Sequence, residues 1–85
     1  MQFDAAVVKE QGLTFAVVMV QHSAVFNNST INDNQRGFQR HFPGMPIVLC
    51  NQNSSGTPTY YGRKDIVNFL ASVLMEQIPW KTYTV

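Results

Sequence analysis

The groups in this chain that could support acid–base, nucleophilic or metal chemistry are few and scattered. There are two histidines, His22 and His41, and one cysteine, Cys50. A metal site needs more ligands close together than this distant set offers, so we expect no metal and no cofactor. The carboxylates lie singly, with no pair placed for acid and base roles; they are Asp4, Glu10, Asp33, Asp65 and Glu76.

Cys50 is the one candidate nucleophile, with His41 or His22 as its base. A reactive thiol needs an exposed and electropositive setting. Cys50 instead ends the apolar run PIVLC at residues 46–50, which indicates a small core residue. A single cysteine permits no internal disulfide, and inside a strand it favours a reducing compartment. We therefore expect no catalytic residues and a cytoplasmic protein.

Length and composition favour one small domain, residues 1–85. A chain this short buries only about 60–65% of its unfolded surface, so association is a ready way to complete its core. Charged residues make up 13% of the chain, about half the usual share, and a charge-poor surface resists self-association poorly. The net charge of +1 does not point to nucleic acid or membrane partners. The apolar residues 5–8 are too short for a signal peptide and follow acidic Asp4, and no apolar run approaches the ~18 residues that a bilayer span needs.

The first half of the chain predicts two strands and a helix. Residues 3–9 form a half-buried strand and residues 13–20 (LTFAVVMV) a central one. The turn Glu10-Gln11-Gly12 is too short for a parallel crossover, so the pair is a hairpin. After a connector at residues 21–28, Ser29 or Thr30 caps a helix, with Thr30 and Asp33 as a capping box. This helix ends at residues 43–44 and has an apolar stripe of Ile31, Phe38 and Phe42.

The second half predicts a hairpin, a second helix and a terminal strand. The buried strand at residues 46–50 and a strand at residues 57–61 are joined by a polar loop. Pro58 places the latter at a sheet edge. A helix follows at residues 65–74 and stops before Pro79, and residues 80–85 alternate as a strand that docks on its own sheet or on a partner's. The apolar stripe of the helix is Ile66, Phe69, Leu70, Val73 and Leu74.

The element order is therefore β-β-α-β-β-α with a terminal strand, which is an α/β (α+β) arrangement. The simplest solution is a two-layer sandwich, with a four- or five-stranded mixed sheet and two helices on one face.

Residues 42–74, about a third of the chain, resemble the C-terminal half of a thioredoxin-like domain. In that family a proline, usually cis, opens a strand, and a second antiparallel strand, a glycine and an amphipathic helix follow. Here Met45-Pro46 would open the strand, and Gly62 would precede the helix. Redox members carry Cys-x-x-Cys after a central strand, whereas the connector at residues 21–28 has no cysteine. The resemblance implies a redox-inactive domain that keeps a peptide-binding groove near Met45-Pro46.

Two sets of side chains are candidates for binding. If both helices cover one face, Arg36, Arg40, Arg63 and Lys64 could gather into a basic patch for nucleic acid, with a tyrosine stacking on a base. A near-neutral chain makes ordinary solvated helix faces the preferred interpretation. An aromatic set fits a protein interface as well as it fits core completion; it consists of Tyr60, Tyr61, Trp80 and Tyr83.

The leading hypothesis is a small non-catalytic module for protein–protein interaction that forms a homodimer. Pairing would use the strand at residues 57–61 or the segment at residues 80–85. The alternatives are a nucleic-acid-binding accessory protein that uses the basic patch, and the redox-inactive thioredoxin-like domain that binds a peptide.

Overall fold

The chain forms one five-stranded mixed sheet and two helices in the computed structural model, which describes residues 1–10 and 12–85. The strands are β1 (Gln2–Glu10), β2 (Leu13–Met19), β3 (Ile47–Gln52), β4 (Pro58–Tyr61) and β5 (Lys81–Thr84). The helices are α1 (Asn28–Gln39) and α2 (Lys64–Leu70), with short 3-10 turns at His22–Val25 and Met75–Gln77. The predicted class of a small α+β domain with a mixed sheet is confirmed.

The strand order across the sheet is β4-β3-β2-β1-β5. β2 and β3 run parallel, and every other neighbouring pair is antiparallel. Both predicted hairpins are present, and the C-terminal strand docks on its own sheet beside β1. Gly12 of the first turn has a positive φ of 79°, which glycine adopts readily, while Gln11 of that turn lies outside the described residues.

One face of the sheet, the first face, packs against α1. Ala16 and Val18 of β2 join Leu49 of β3 in a buried cluster there, and α1 contributes Ile31 and Phe38. These α1 side chains are only partly buried, so α1 lies over the rim of this cluster.

The opposite, second face packs against α2. Phe15 and Val17 of β2 join Val48 of β3 there, and α2 contributes Ile66 and Leu70, both 1% exposed. The expectation of a two-layer sandwich with both helices on one face is therefore wrong. The described part of the chain has three layers, with the sheet between the two helices.

The connections explain the third layer. β2 and β3 are parallel, so α1 must carry the chain back over one face. β4 and β5 are opposite edges, so residues 62–80 must cross four strand spacings, roughly 19 Å. This second crossing covers the face that α1 leaves bare. A bare second face would expose the apolar side chains of Phe15 and Val17 to water, which is energetically unfavourable.

α1 begins one residue after Asn27, which is its true N-cap. The Asn27 Oδ1 accepts from the Thr30 backbone N–H at 2.9 Å, and the Thr30 Oγ1 accepts from the Asn27 N–H at 3.0 Å. The predicted box of Thr30 with Asp33 is wrong, because Thr30 occupies the third helical position instead of the cap.

Two glutamine side chains bond α1 to the sheet and to the loop that precedes β3. Their amide groups donate to backbone carbonyl oxygens of strands β3 and β4 and of the loop that leads into β3. The bonds join Gln35 Nε2 to Ile47 O and Tyr61 O, both at 3.3 Å, and Gln39 Nε2 to Phe42 O at 2.8 Å and Met45 O at 2.7 Å. The position of α1 therefore depends on polar anchors as well as on its thin apolar stripe.

α2 is shorter than the predicted helix at residues 65–74. It ends at Leu70, and Leu74 is 59% exposed instead of buried. Further apolar residues on this side come from the segment that follows α2, where Val73, Met75 and Ile78 pack on the second face. No helix among the described residues has the length and apolar character that crossing a bilayer requires.

Gly62→Ala is expected to lower the free energy of unfolding by about 1–3 kcal/mol, because the added methyl group overpacks the sheet. A Cβ at Gly62 would lie 2.9 Å from Val48 Cγ2 and 3.2 Å from the Ile47 carbonyl oxygen. Gly37→Ala is the matched control, since a Cβ there meets nothing within 4 Å and alanine favours a helix by up to about 1 kcal/mol. Urea unfolding followed by circular dichroism measures both, and equal effects would contradict the close approach at Gly62.

Candidate functional site

Cys50 lies in β3 with its side chain inside the second-face cluster. It is 0% exposed. Burial raises the pKa of its thiol to about 11, and the hydroxyl of Tyr60 lowers that pKa only in part. A thiol that stays protonated and out of reach cannot attack a substrate. The interpretation of Cys50 as a small core residue is confirmed.

His22 and His41 lie in different parts of the fold. His22 begins the first 3-10 turn, whereas the ring of His41 is tilted against Phe3 with centroids 5.5 Å apart. Among the described residues, no three His, Cys, Asp or Glu side chains are placed to hold a metal ion.

The basic residues are only partly brought together. Arg36 of α1 and Arg63, the N-cap of α2, line one groove with a volume of about 580 Å³. We call this the α1–α2 groove; Pro46 and Gly62 also line it. Lys64 lines a neighbouring groove with Tyr60 and Tyr61, and Arg40 is the C-cap of α1. The four cations therefore do not line one groove, as the nucleic-acid alternative would require of a single patch.

Both arginines of the α1–α2 groove already have a carboxylate partner. Arg36 contacts Asp33 at 3.4 Å, and Arg63 binds Asp65 through two bonds of 2.9 and 2.6 Å. The bonds to Asp65 raise the pKa of Arg63, and the same pairing lowers the pKa of the Asp65 carboxyl. These exposed pairs neutralise much of the local positive charge, although such pairs are individually weak.

The aromatic set divides between two edges and two faces. Tyr60 and Trp80 pack on the second face, where the Tyr60 hydroxyl donates to Met75 Sδ at 3.3 Å and the Trp80 indole N–H to Met75 O at 3.2 Å. Tyr61 and Tyr83 pack on the first face. The four side chains therefore do not form one interface, and each is partly used in completing the core.

Tyr83 fixes β5 to the body of the domain. Its ring stacks on Phe3, with centroids 5.3 Å apart and an interplanar angle of 10°, and meets Phe42 edge-on at 5.4 Å. Thr82 adds a bond of 2.7 Å from its hydroxyl to Asp4 Oδ1. Stacked and edge-on aromatic pairs stabilise beyond their buried area, so β5 is a firmly held edge strand.

The outer edge of β5 carries backbone groups without a strand partner. Met1 and Val85 exchange both backbone bonds, each at 2.9 Å. Mutually bonded and non-bonded pairs alternate along an antiparallel ladder, so the β1–β5 register makes Phe3↔Tyr83 a bonded pair. Thr82 and Thr84 then lie in non-bonded positions, with their N–H and C=O groups directed away from β1. This is the feature that the sequence analysis missed, since side-chain types do not reveal it.

The outer edge of β4 is poorer in donors. The Asn53 N–H bonds to Thr57 O at 3.0 Å, and the β3–β4 register then places Pro58 and Tyr60 in outward-facing positions. Pro58 has no N–H, so Tyr60 is the one outward donor within β4. Proline at such a position protects an edge against pairing.

Comparison of the chain with protein-family models, curated protein sequences and solved structures finds no match. The Met45–Pro46 peptide bond is trans, because the described residues contain no cis bond. The thioredoxin-like resemblance of residues 42–74 stays a prediction. This segment lacks the cis proline that is usual in that family.

The stability of the fold is expected to fall as the pH rises from 9 to 11. The unfolded thiol of Cys50 ionises near its ordinary pKa of 9.0 and the folded thiol near 11. The stability that the protonated buried thiol contributes is therefore present below pH 9 and lost as the pH rises through 11. Urea unfolding across this range should show a steeper loss for the wild type than for Cys50→Ala. Identical slopes would contradict the burial of a protonated thiol.

Proposed function

We propose that the protein is a non-catalytic module for protein–protein interaction that self-associates as a homodimer. The observation that carries this proposal is the outer edge of β5, where the backbone groups of Thr82 and Thr84 have no strand partner among the described residues. Unpaired edges are templates for pairing with another chain, and adding a strand to an exposed edge is a common mode of recognition.

The chemistry of the surface supports the same proposal. Charged residues are 13% of the chain and the net charge is +1, so two copies repel each other little. β5 carries one charged residue, Lys81, and its other members are two threonines and a tyrosine. The buried, protonated Cys50 and the separated histidines favour binding over catalysis.

The expected dimer is weak. An interface built around one edge strand per copy buries less than about 1,200 Å², which is typical of transient complexes. Association also costs at least about 4 kcal/mol in lost rigid-body freedom, while each new hydrogen bond contributes about 0.5–1.5 kcal/mol. The homodimer should therefore form in proportion to protein concentration and dissociate on dilution.

Light scattering on a size-exclusion peak, over a series of protein concentrations, tests the homodimer. The mass should rise with concentration from the monomer value of 9.6 kDa to twice that value. The rise should persist at high salt, because backbone pairing is not screened as surface charges are. A monomer at every concentration would overturn the proposal.

A second candidate function is binding of nucleic acid, and the observation in its favour is the α1–α2 groove. Arg36 and Arg63 line it from different elements, even though the two helices lie on opposite faces. A strand of phosphates could replace Asp33 and Asp65 as their partners, since arginine binds phosphate through paired bonds. The internal pairing with these carboxylates places this candidate behind self-association.

Fluorescence anisotropy with a labelled single-stranded oligonucleotide at low salt tests the second candidate. If the groove binds phosphate, affinity should fall steeply with added salt, and the double variant Arg36→Ala/Arg63→Ala should lower it by about tenfold or more. Arg40→Ala is the matched control, because Arg40 caps α1 and does not line the groove. Absence of binding at low salt would remove nucleic acid from consideration.

A further inference from the structure

The two open edges differ in whether they can pair with a copy of themselves. A two-fold axis perpendicular to the sheet makes the two edge strands antiparallel, and their outward-facing residues then form mutually bonded pairs. On β4 the outward residues are Pro58 and Tyr60. In the β4 register that uses both outward residues, Pro58 would pair with Tyr60 of the second copy, and each such pair would lack a bond because proline has no N–H. On β5 the outward residues are Thr82 and Thr84, and both offer a donor and an acceptor.

The spacing of the outward residues on β5 selects one register. If Thr82 pairs with Thr84 of the second copy, symmetry pairs Thr84 with Thr82 of that copy, and all outward groups of the strand are used. A register centred on Thr82 would require the Trp80 N–H, which already bonds to Ile78 O at 2.8 Å. A register centred on Thr84 would leave the groups of Thr82 without a partner inside the strand.

The charge on β5 favours the same register. With Thr82 opposite Thr84, the two Lys81 side chains stand four residues apart, about 14 Å, which exceeds the screening length of about 8 Å at physiological salt. A register centred on Thr82 would bring them to about 7 Å. The side-chain neighbours are also suitable, since Thr–Thr and aromatic pairs across strands are favourable.

We infer that β5 pairs antiparallel with β5 of a second copy about a two-fold axis at Tyr83, so that the sheets of the two copies join into one. This inference rests on the proposed homodimer and specifies its surface and partner. Thr82 bonds to Thr84 of the second copy on each side of the axis. The two Tyr83 residues form the central non-bonded pair, on the face that α1 covers.

Disulfide cross-linking of Thr82→Cys and Thr84→Cys measures the register. In the inferred dimer, positions 82 and 84 of different copies are directly opposite, with Cα atoms about 5.5 Å apart, within the range that a disulfide spans. Identical positions are diagonal neighbours about 7–8 Å apart, beyond that range. A mixture of the variants, one isotopically labelled, should therefore form the mixed disulfide about tenfold or more faster than either variant cross-links alone.

Each alternative outcome overturns a defined part of the inference. Fast cross-linking of Thr82→Cys alone would centre the register on Thr82, and the same result for Thr84→Cys alone would centre it on Thr84. A dimer by light scattering that forms no cross-link would overturn pairing through β5 while the proposed homodimer stands. A monomer would overturn both. The wild type is the control, because its one cysteine is buried Cys50 and should form no cross-link.

Thr84→Pro tests the backbone bonds without touching the β1–β5 ladder. The Thr84 N–H faces outward, so its removal should leave the melting temperature of the dilute monomer unchanged. The dissociation constant of the dimer should rise by about tenfold or more, since each copy loses a donor to its partner. Thr84→Val is the matched control, because it removes the hydroxyl and keeps the N–H. An unchanged dissociation constant for Thr84→Pro would overturn the inference.

Discussion

The parallel pairing of β2 with β3 is the contact on which the rest of the structure depends. Their register runs from Ala16↔Ile47 to Met19↔Cys50, and nearly all of these residues are buried. Strands buried on both faces need a layer on each side, and parallel strands need a crossing connection. α1 supplies both the connection and the first layer. The segment from α2 to β5 supplies the second layer because it must travel from one edge of the sheet to the other.

The same constraint determines which edges are open. β1 and β4 flank the central pair, and β1 then accepts β5 on its free side. Stacking of Tyr83 on Phe3 holds β5 in place, so its outer backbone groups have fixed positions. An edge that is firmly held, nearly uncharged and free of proline is suited to pairing with another strand. The association that we propose follows from how the chain closes its core.

Much of the fold could be predicted from the pattern of apolar and turn residues, because β2 and β3 are apolar runs and turn residues separate the strands of each hairpin. Pro58 correctly placed β4 at an edge, and the alternation at residues 80–85 correctly placed a terminal strand. The sheet face on which each helix packs could not be predicted. The apolar runs at residues 13–20 and 46–50 required cover on both faces, but periodicity does not say which helix covers which face. The prediction of the α1 N-cap was wrong for a similar reason. Asn27, Ser29 and Thr30 are all residue types that can cap a helix, so residue type alone does not select one of them.

The candidate site was less predictable than the fold. Residue types correctly indicated that Cys50 is a core residue, because its neighbours are apolar. The aromatic residues were identified by type, yet their distribution over two edges depends on strand order, which no local pattern contains. The outward groups of Thr82 and Thr84 belong to the backbone, and their direction follows from the register with β1. A sequence pattern alone cannot supply that register.

Residue-resolved amide hydrogen exchange of β5, measured on dilute and on concentrated protein, tests most directly the claim that this edge is the site of self-association. In the dilute monomer, Lys81 and Tyr83 should be protected by their bonds to β1, while Thr82 and Thr84 exchange freely. In the concentrated sample, Thr82 and Thr84 should gain protection and the Tyr60 amide of β4 should not. If the mass doubles while Thr82 and Thr84 still exchange freely, association occurs through another surface and the account is wrong.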